Sequence, residues 1–360
     1  MIFNLKREMF SDREFVLAEH KDMKATAFRY STGVEALKIE NNKGYFIILP
    51  FQGQQIWRAV FCGKELHMQT TFDEPVPNRT YLETYGGFLL HCGINSFGAP
   101  SFENGQLQHG EAPNAPYDSA YLECGEDENG VYMTVGGELL FKKSFVKGYK
   151  FSPSCKLYAD GTYLNIGIDL LNLRDYPMEY MYLCHINFRP IDGAKLIYTA
   201  PCKKGDVTVY KAVDEDFPEP KRTQVLNYMD EVEENPEIMN TVGAEGQFYD
   251  PEICFGLKYK GDENNMAHTM QYTEDGACYV EHPVDVLPYA VRWISRTAHE
   301  NSMGMVLPCT AEHLGYSHAK KNGQVKILEP LGKLHFEMKA GYLEKADADK
   351  MKDKIEKIMG

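Results

Sequence analysis

Hydrophobic and polar positions alternate along most of the chain with a period of two. In the segment YLNIGIDLLNL the apolar residues on one side are Leu164, Ile166, Ile168 and Leu170. This alternation is typical of a β-strand with one buried face. Shorter segments of the same kind (VYMTVGGELLF, KLYADGTYL, ICFGLKYKG and ACYVEH) predict further strands, several of them bounded by Asp-Gly or Gly-Asp turns. The pattern predicts a large antiparallel β-sandwich.

A helical period is clear only over residues 343–360, LEKADADKMKDKIEKIMG. Charged residues fill one side, and the other side carries Leu343, Met351, Ile355 and Ile358. This predicts a short C-terminal helix that braces the sandwich from outside. The acidic, proline-bearing stretch 213–238 predicts a long surface excursion. Residues 1–50 predict N-terminal β segments, and without an internal repeat or linker we expect residues 1–360 to form a single domain.

Composition narrows the class of protein. The 360 residues are 43% hydrophobic and carry a formal net charge of −14, which argues against nucleic acid and anionic membranes as partners. No run approaches the ~18 apolar residues of a membrane span, and MIFNLKREMF lacks the apolar core of a signal peptide. Nine scattered cysteines form no C-x-x-C pair. We therefore expect a cytoplasmic protein with reduced thiols.

One segment concentrates titratable residues among helix and strand breakers. Residues 88–118, FLLHCGINSFGAPSFENGQLQHGEAPNAPYD, contain His91, His109, Glu111 and Asp118. Because glycine and proline interrupt regular elements, these side chains are expected on strand ends and loops, where a rigid sheet can aim them into a cleft. The segment therefore predicts one wall of a binding site.

Several motifs in order resemble the aldose 1-epimerase (galactose mutarotase) superfamily, and within it the DUF4432 branch. They are GGFLLHCGINSFGAPS, LQHGEAPNAP, YMYLCHINFRPIDG, LPYAVRW and GMVLPCTAEHLGY. The resemblance runs from about Gly53 to Tyr342. It implies an all-β, galactose mutarotase-like β-supersandwich with a sugar site on its concave sheet, and an aldose 1-epimerase activity.

The resemblance also implies roles for individual residues. His109 matches the family histidine that binds the sugar beside its ring oxygen, and His185 matches the general acid that protonates that oxygen. Asn187 belongs to the same motif as His185, and Trp293 matches a tryptophan near the cleft. Opening a hemiacetal needs an acid and a base with pKa values near the working pH, which is the chemistry of histidine and glutamate.

The chain departs from the family at the general base. The family has a glutamate followed by proline, whereas this chain has Leu307 in GMVLP, and leucine cannot accept a proton. If the segment after His109 is extended, Glu111 shares its face. Glu111 is therefore predicted either to replace the base or to join His109 and His185 as ligands of a divalent metal ion. Glu312 in TAEHLGY is a second candidate base.

Two further residues are candidates for sugar contact. His91 lies in the same segment as His109, although a lone histidine in a β protein is more often structural. Arg79 could bind an anionic group of a substrate.

Three functions stay open at this point. The first is a mutarotase that needs no cofactor, the second a metal-dependent isomerase, epimerase or lyase, and the third a sugar-binding protein without catalysis. We predict the first, acting on a small-molecule sugar or glycoside. An exposed sheet edge could also support a homodimer.

Overall fold

The structure is a computed structural model that describes residues 1–101, 105–243 and 249–360. Its strands are β1 (Ile2–Leu5), β2 (Phe15–His20), β3 (Met23–Arg29), β4 (Glu35–Asn41), β5 (Gly44–Ile48), β6 (Ile56–Phe61), β7 (Lys64–Glu65), β8 (Leu89–Ile94), β9 (Ser119–Asp127), β10 (Gly130–Lys143), β11 (Lys147–Tyr158), β12 (Tyr163–Asn172), β13 (Met178–Ile186), β14 (Lys195–Tyr198), β15 (Thr208–Tyr210), β16 (Tyr249–Leu257), β17 (Met266–Thr273), β18 (Gly276–Pro283), β19 (Tyr289–Arg296), β20 (Asn301–Cys309), β21 (Lys326–Leu328) and β22 (Lys333–Glu344). The α-helices are α1 (Lys221–Glu234), α2 (Tyr316–Lys321) and α3 (Lys345–Met359), and short 3-10 helices span Arg7–Met9, Tyr81–Thr84 and Pro236–Asn240.

The strands form two antiparallel sheets. The smaller sheet has the order β1-β9-β10-β11-β12-β22-β18-β17-β14. The larger sheet has the order β15-β16-β19-β20-β13-β8-β6-β5-β4-β3-β2, with β21 beside β13 and β7 beside β6. This architecture confirms the predicted all-β sandwich.

The main hydrophobic core lies between the two sheets. The residues predicted for one side of β12, namely Leu164, Ile166, Ile168 and Leu170, are all at most 2% exposed. They pack with residues of the larger sheet in one continuous cluster. Each such side chain contributes about 1.5–3 kcal/mol when it is removed from water, so the alternation seen in the sequence is also the main source of stability.

The predicted C-terminal helix is present as α3, but it begins two residues later than predicted. Leu343 is the penultimate residue of β22, and it packs with Ala348, Met351 and Ile355 of the helix. The strand therefore continues directly into the helix, which packs against the smaller sheet beside β18 and β22.

Helix α1 was missed in the sequence, where residues 213–238 predicted only an irregular excursion. The helix buries Val225, Met229 and Val232, and it packs beside β16. These three positions are separated by four and three residues, so they share one face. Since the intervening residues are mostly acidic or polar, the narrow apolar stripe gave a weak signal. Among the described residues, no helix is long and apolar enough to cross a membrane.

Candidate active site

The central strands of the larger sheet carry different chemistry on their two faces. In the pairing of β8 with β13, His185 lies opposite Leu90 and His91 lies opposite Cys184. Directly opposed residues of an antiparallel pair point to the same face. Cys184 belongs to the core between the sheets, whereas Leu90 belongs to a separate apolar cluster. We call the face that carries Leu90 and His185 the outer face.

His185 is held in one orientation by Asn187. The Asn187 Nδ2 donates to the Gly87 carbonyl over 2.9 Å, so its Oδ1 is the acceptor that lies 2.7 Å from the His185 Nδ1. This network assigns the proton to Nδ1. Burial lowers the pKa of His185 to about 4, and the Asn187 hydrogen bond opposes that shift only in part. At neutral pH the imidazole is therefore uncharged, with a lone pair on Nε2.

His109 lies beside His185 on the outer face. Its backbone N–H donates to the Gly98 carbonyl, and its carbonyl accepts from the Gly93 N–H, both over 3.0 Å. Its ring centroid is 5.4 Å from that of His185 and 4.7 Å from that of Tyr81. Burial, followed by the charges of the neighbouring histidines, holds the pKa of His109 well below its usual value. The structure therefore brings the two histidines of the resemblance together as neutral rings.

His313, in the loop after β20, is a third histidine of this region. Electrostatic repulsion from His313 lowers the pKa values of both His109 and His185. Burial lowers its own pKa to about 4. The Nδ1 atoms of His109 and His313 are buried and have no hydrogen-bond partner. Unpartnered polar atoms of this kind are costly in a folded protein, and they are most easily explained by a ligand or water.

Trp293 and Glu252 complete the outer-face group. The Trp293 ring centroid is 5.3 Å from that of His185, and its Nε1–H donates to the Glu252 carboxylate. Glu252 lies two residues before Cys254 on β16, and Cys254 pairs with Trp293 and packs against the outer-face cluster. The Glu252 carboxylate therefore reaches this group through Trp293, and its side chain is otherwise exposed.

Leu307 also lies on the outer face. It is 2% exposed and packs in the apolar cluster with Leu90, Tyr85 and Trp293. The position matched in the sequence to the family's general base thus shares a cluster with Trp293, which packs against the His185 ring, and it contributes an apolar surface.

His91 lies on the opposite face, inside the core between the sheets. Its Nδ1 is 2.8 Å from the hydroxyl of Tyr182, and its ring packs edge-on against Phe151 of the smaller sheet. Burial lowers its pKa to about 3. The structure does not place His91 with His109 and His185.

Glu111 also points elsewhere, because the segment after His109 is not extended as predicted. His109 has a φ of 55°, in the left-handed region, so the alternation of faces is broken there. The Glu111 Oε1 accepts from the backbone N–H groups of Ile94 and Asn95 over 3.2 and 3.1 Å, from the Asn95 Nδ2, and from the Tyr149 hydroxyl. Burial raises the pKa of this carboxyl, and those hydrogen bonds oppose the shift. Through these hydrogen bonds Glu111 connects β8 to β11 of the smaller sheet.

Glu312 is occupied by three neighbours. Its carboxylate accepts from the Tyr210 hydroxyl over 2.9 Å and from the Gln324 Nε2 over 2.7 Å, and it lies 3.0 Å from the His318 Nε2. Burial raises the pKa of this carboxyl, but the three hydrogen bonds outweigh burial and leave the pKa lowered.

Arg79 lies away from the histidines. Its side chain is exposed and borders a separate cleft of about 210 Å³ with Asn78 and Asn114.

A metal ion finds no ligand set in the described parts of the chain. No group of three or more His, Cys, Asp or Glu side chains there is arranged to hold one. In particular, the turn at His109 directs the Glu111 side chain away from His109 and His185. The metal set considered from the sequence is therefore not assembled.

Known structures share this architecture. A protein of Klebsiella pneumoniae subsp. pneumoniae, provisionally named an aldose 1-epimerase, is 17% identical with a TM-score of 0.78, over 94% of this chain and 88% of that one. A galactose mutarotase-like protein of Clostridium acetobutylicum is 14% identical with a TM-score of 0.60, over 90% and 99%. A galactose mutarotase-like protein of Lactobacillus casei is 14% identical with a TM-score of 0.51, over 86% and 100%. The chain thus has a galactose mutarotase-like fold.

The family resemblance seen in the sequence is confirmed by a model of the family described as a domain of unknown function, DUF4432, which matches residues 31–204. This range includes His109, His185 and Asn187. A search of curated protein sequences gives no match.

Proposed function

We propose that the protein is a carbohydrate isomerase that opens and closes a sugar hemiacetal, most simply an aldose 1-epimerase. The observation that carries the proposal is the oriented, neutral His185, whose ring packs beside those of His109 and Trp293. The fold is shared with proteins named for this chemistry, which supports the proposal at the level of architecture.

The proton transfers follow from the resting state of His185. Nε2 accepts the proton of the anomeric hydroxyl while the bond between C1 and the ring oxygen breaks and C1 becomes a carbonyl. The imidazolium then gives the proton to the former ring oxygen, which was bonded to C1 next to the anomeric hydroxyl before the ring opened. Rotation of the aldehyde and the reverse sequence close the ring as the other anomer. His185 protonates the ring oxygen in this scheme, as the resemblance implies, but only after it has acted as a base.

Glu252 is the carboxylate that we assign to this reaction. A negative charge favours the protonated form of an imidazole, and we assign Glu252 to stabilise the imidazolium intermediate through its hydrogen bond to Trp293. Its neighbour Trp293 links it to the His185 ring. Glu111 and Glu312 are less suited, since the hydrogen bonds described above already occupy their carboxylates.

The aromatic residues suit a sugar and also restrict access to it. Tyr81, Tyr85 and Trp293 present flat apolar surfaces of the kind that stack on the C–H face of a pyranose. His185 is only 4% exposed, beneath these side chains. A sugar therefore reaches Nε2 only after some of the surrounding side chains move, and we expect such a movement on binding.

Polarimetry tests the proposal. Freshly dissolved α-anomers of several neutral aldoses are followed with wild-type protein and with His185→Asn, which keeps a side chain of moderate size but lacks the basic nitrogen. We expect acceleration of at least one sugar by the wild type and none by the variant. Wild-type protein that accelerates no aldose while binding one would support the sugar-binding alternative instead, for which Leu307 in place of a base is the favouring observation.

A further inference from the structure

A second cleft, of about 750 Å³, lies on the other side of the chain segment that carries His109. Gln106, Gly110 and Glu111 of that segment form part of its wall, and the turn between β10 and β11 forms another part. This volume is in the range of cavities that hold small molecules. His109, His185 and Trp293 are not among its lining residues.

Three cationic side chains converge on this cleft. Lys143 and Lys147 are directly opposed in the pairing of β10 with β11, and Arg174 follows β12. Like charges in opposed positions destabilise a hairpin unless something neutralises them. Among the described residues, Lys143 and Arg174 form no salt bridge, and the Lys147 Nζ donates only to the Glu179 carbonyl, over 2.7 Å. The chain as a whole carries a net charge of −14, so this cluster of positive charge is opposite in sign to the protein's overall charge.

The carboxylates of the cleft compensate these cations only in part, since Glu111 and Glu179 both act to raise the pKa of Lys147 against the effect of burial. One oxygen of Glu111 accepts the four hydrogen bonds described above. Glu179 is occupied by the Lys320 ammonium group and by the Tyr316 hydroxyl. Both acidic side chains therefore also bind other groups, and the three cations outnumber the two carboxylates in the wall of the cleft.

The remaining wall is apolar and aromatic. Phe141 and Ile327 line the cleft, and the Arg174 guanidinium lies 5.0 Å from the Tyr176 ring centroid. Planar guanidinium groups recognise carboxylate and phosphate oxygens through paired hydrogen bonds. A ligand with an anionic group and an organic body matches both parts of this wall.

We propose that this cleft is a second ligand site, which binds a small organic anion through Arg174, Lys143 and Lys147. The anionic group is a carboxylate or a phosphate ester, both of which present the same geometry to a guanidinium. The site does not depend on the hemiacetal chemistry proposed for His185, and the two can be tested separately.

Calorimetric titration with glucuronate and with glucose 6-phosphate, and with glucose as the neutral control, tests this site. We expect an anion to bind in a salt-sensitive manner, with affinity reduced at least about tenfold by Arg174→Gln or Lys143→Gln. Lys142→Gln is the matched control, since Lys142 is exposed on the same hairpin but does not line the cleft. His185→Asn should leave anion binding unchanged.

The response to the two anions identifies the acidic group, because glucuronate carries a carboxylate and glucose 6-phosphate a phosphate ester. Binding that survives both Arg174→Gln and Lys143→Gln, or the absence of binding by either anion, would overturn the proposal. Circular dichroism of each variant establishes that a loss of affinity is not a loss of fold.

Discussion

The two faces of the larger sheet each bury a histidine, and the two residues differ instructively. His91 and His185 lie on neighbouring strands and are 3% and 4% exposed, and burial lowers both pKa values, to about 3 and about 4. His91 is enclosed by Tyr182 and Phe151 in the core, whereas His185 faces a second histidine and Trp293. Burial and a lowered pKa therefore do not mark a functional site by themselves. The side chains that surround the histidine distinguish the candidate site from the core.

The largest effect should follow from His185→Asn. Because a positioned acid–base group contributes typically about 10²–10⁴ in rate, we expect kcat for mutarotation to fall by that factor. The free energy of unfolding should change little, since Asn187 and Tyr85 keep other partners. Steady-state polarimetry and urea unfolding measure the two quantities. An active variant would remove His185 from the reaction.

His91→Gln should have the opposite outcome. Loss of the bond to Tyr182 leaves a buried hydroxyl without its partner, which costs about 1–3 kcal/mol of unfolding free energy. The rate per folded molecule should stay at the wild-type value. A large loss of turnover with unchanged stability would mean that the two faces are not as distinct as we describe.

Glu252→Gln and Glu111→Gln extend the comparison to carboxylates. Removal of the exposed Glu252 charge, which reaches the His185 ring through Trp293, should slow the reaction roughly tenfold, as expected for about 1–2 kcal/mol of electrostatic stabilisation near a surface. Glu111→Gln should instead lower stability, because its carboxylate accepts four hydrogen bonds, and should leave turnover per folded molecule intact. If Glu111→Gln slowed turnover and Glu252→Gln did not, the carboxylate that takes part in the reaction would be Glu111.

The smallest effect concerns stability as a function of pH. The folded pKa values of His91 and His185 lie below the ordinary value of 6.5, so the unfolded chain binds protons first as the pH falls. Stability is fully present above about pH 6.5 and declines toward the folded pKa, by about 1.4 kcal/mol per pH unit for each histidine. Urea unfolding at about pH 7 and pH 5 should show a smaller difference in His91→Gln than in the wild type. An equal difference in the two proteins would contradict the lowered pKa assigned to His91.

The period of two along strands such as β12 was sufficient to predict the sandwich, because each strand buries one face. The same rule failed after His109, because the backbone of this residue has a left-handed conformation that breaks the alternation of faces. The hydrophobic pattern of a sequence does not reveal the φ angle of one residue. Glu252 was missed although its spacing to Cys254 is visible, since only strand pairing brings it to Trp293. Helix α1 was missed because acidic residues such as Asp230 and Glu231 separate its few apolar positions.

The pH dependence of kcat/KM for mutarotation by the wild-type protein tests the central claim most directly. If neutral His185 accepts the anomeric proton, the value stays constant from about pH 8 to pH 6 and falls in acid with an apparent pKa near 4. A value that instead rises as the pH is lowered through this range would show that the protonated imidazole is the reactive form, and would contradict the account.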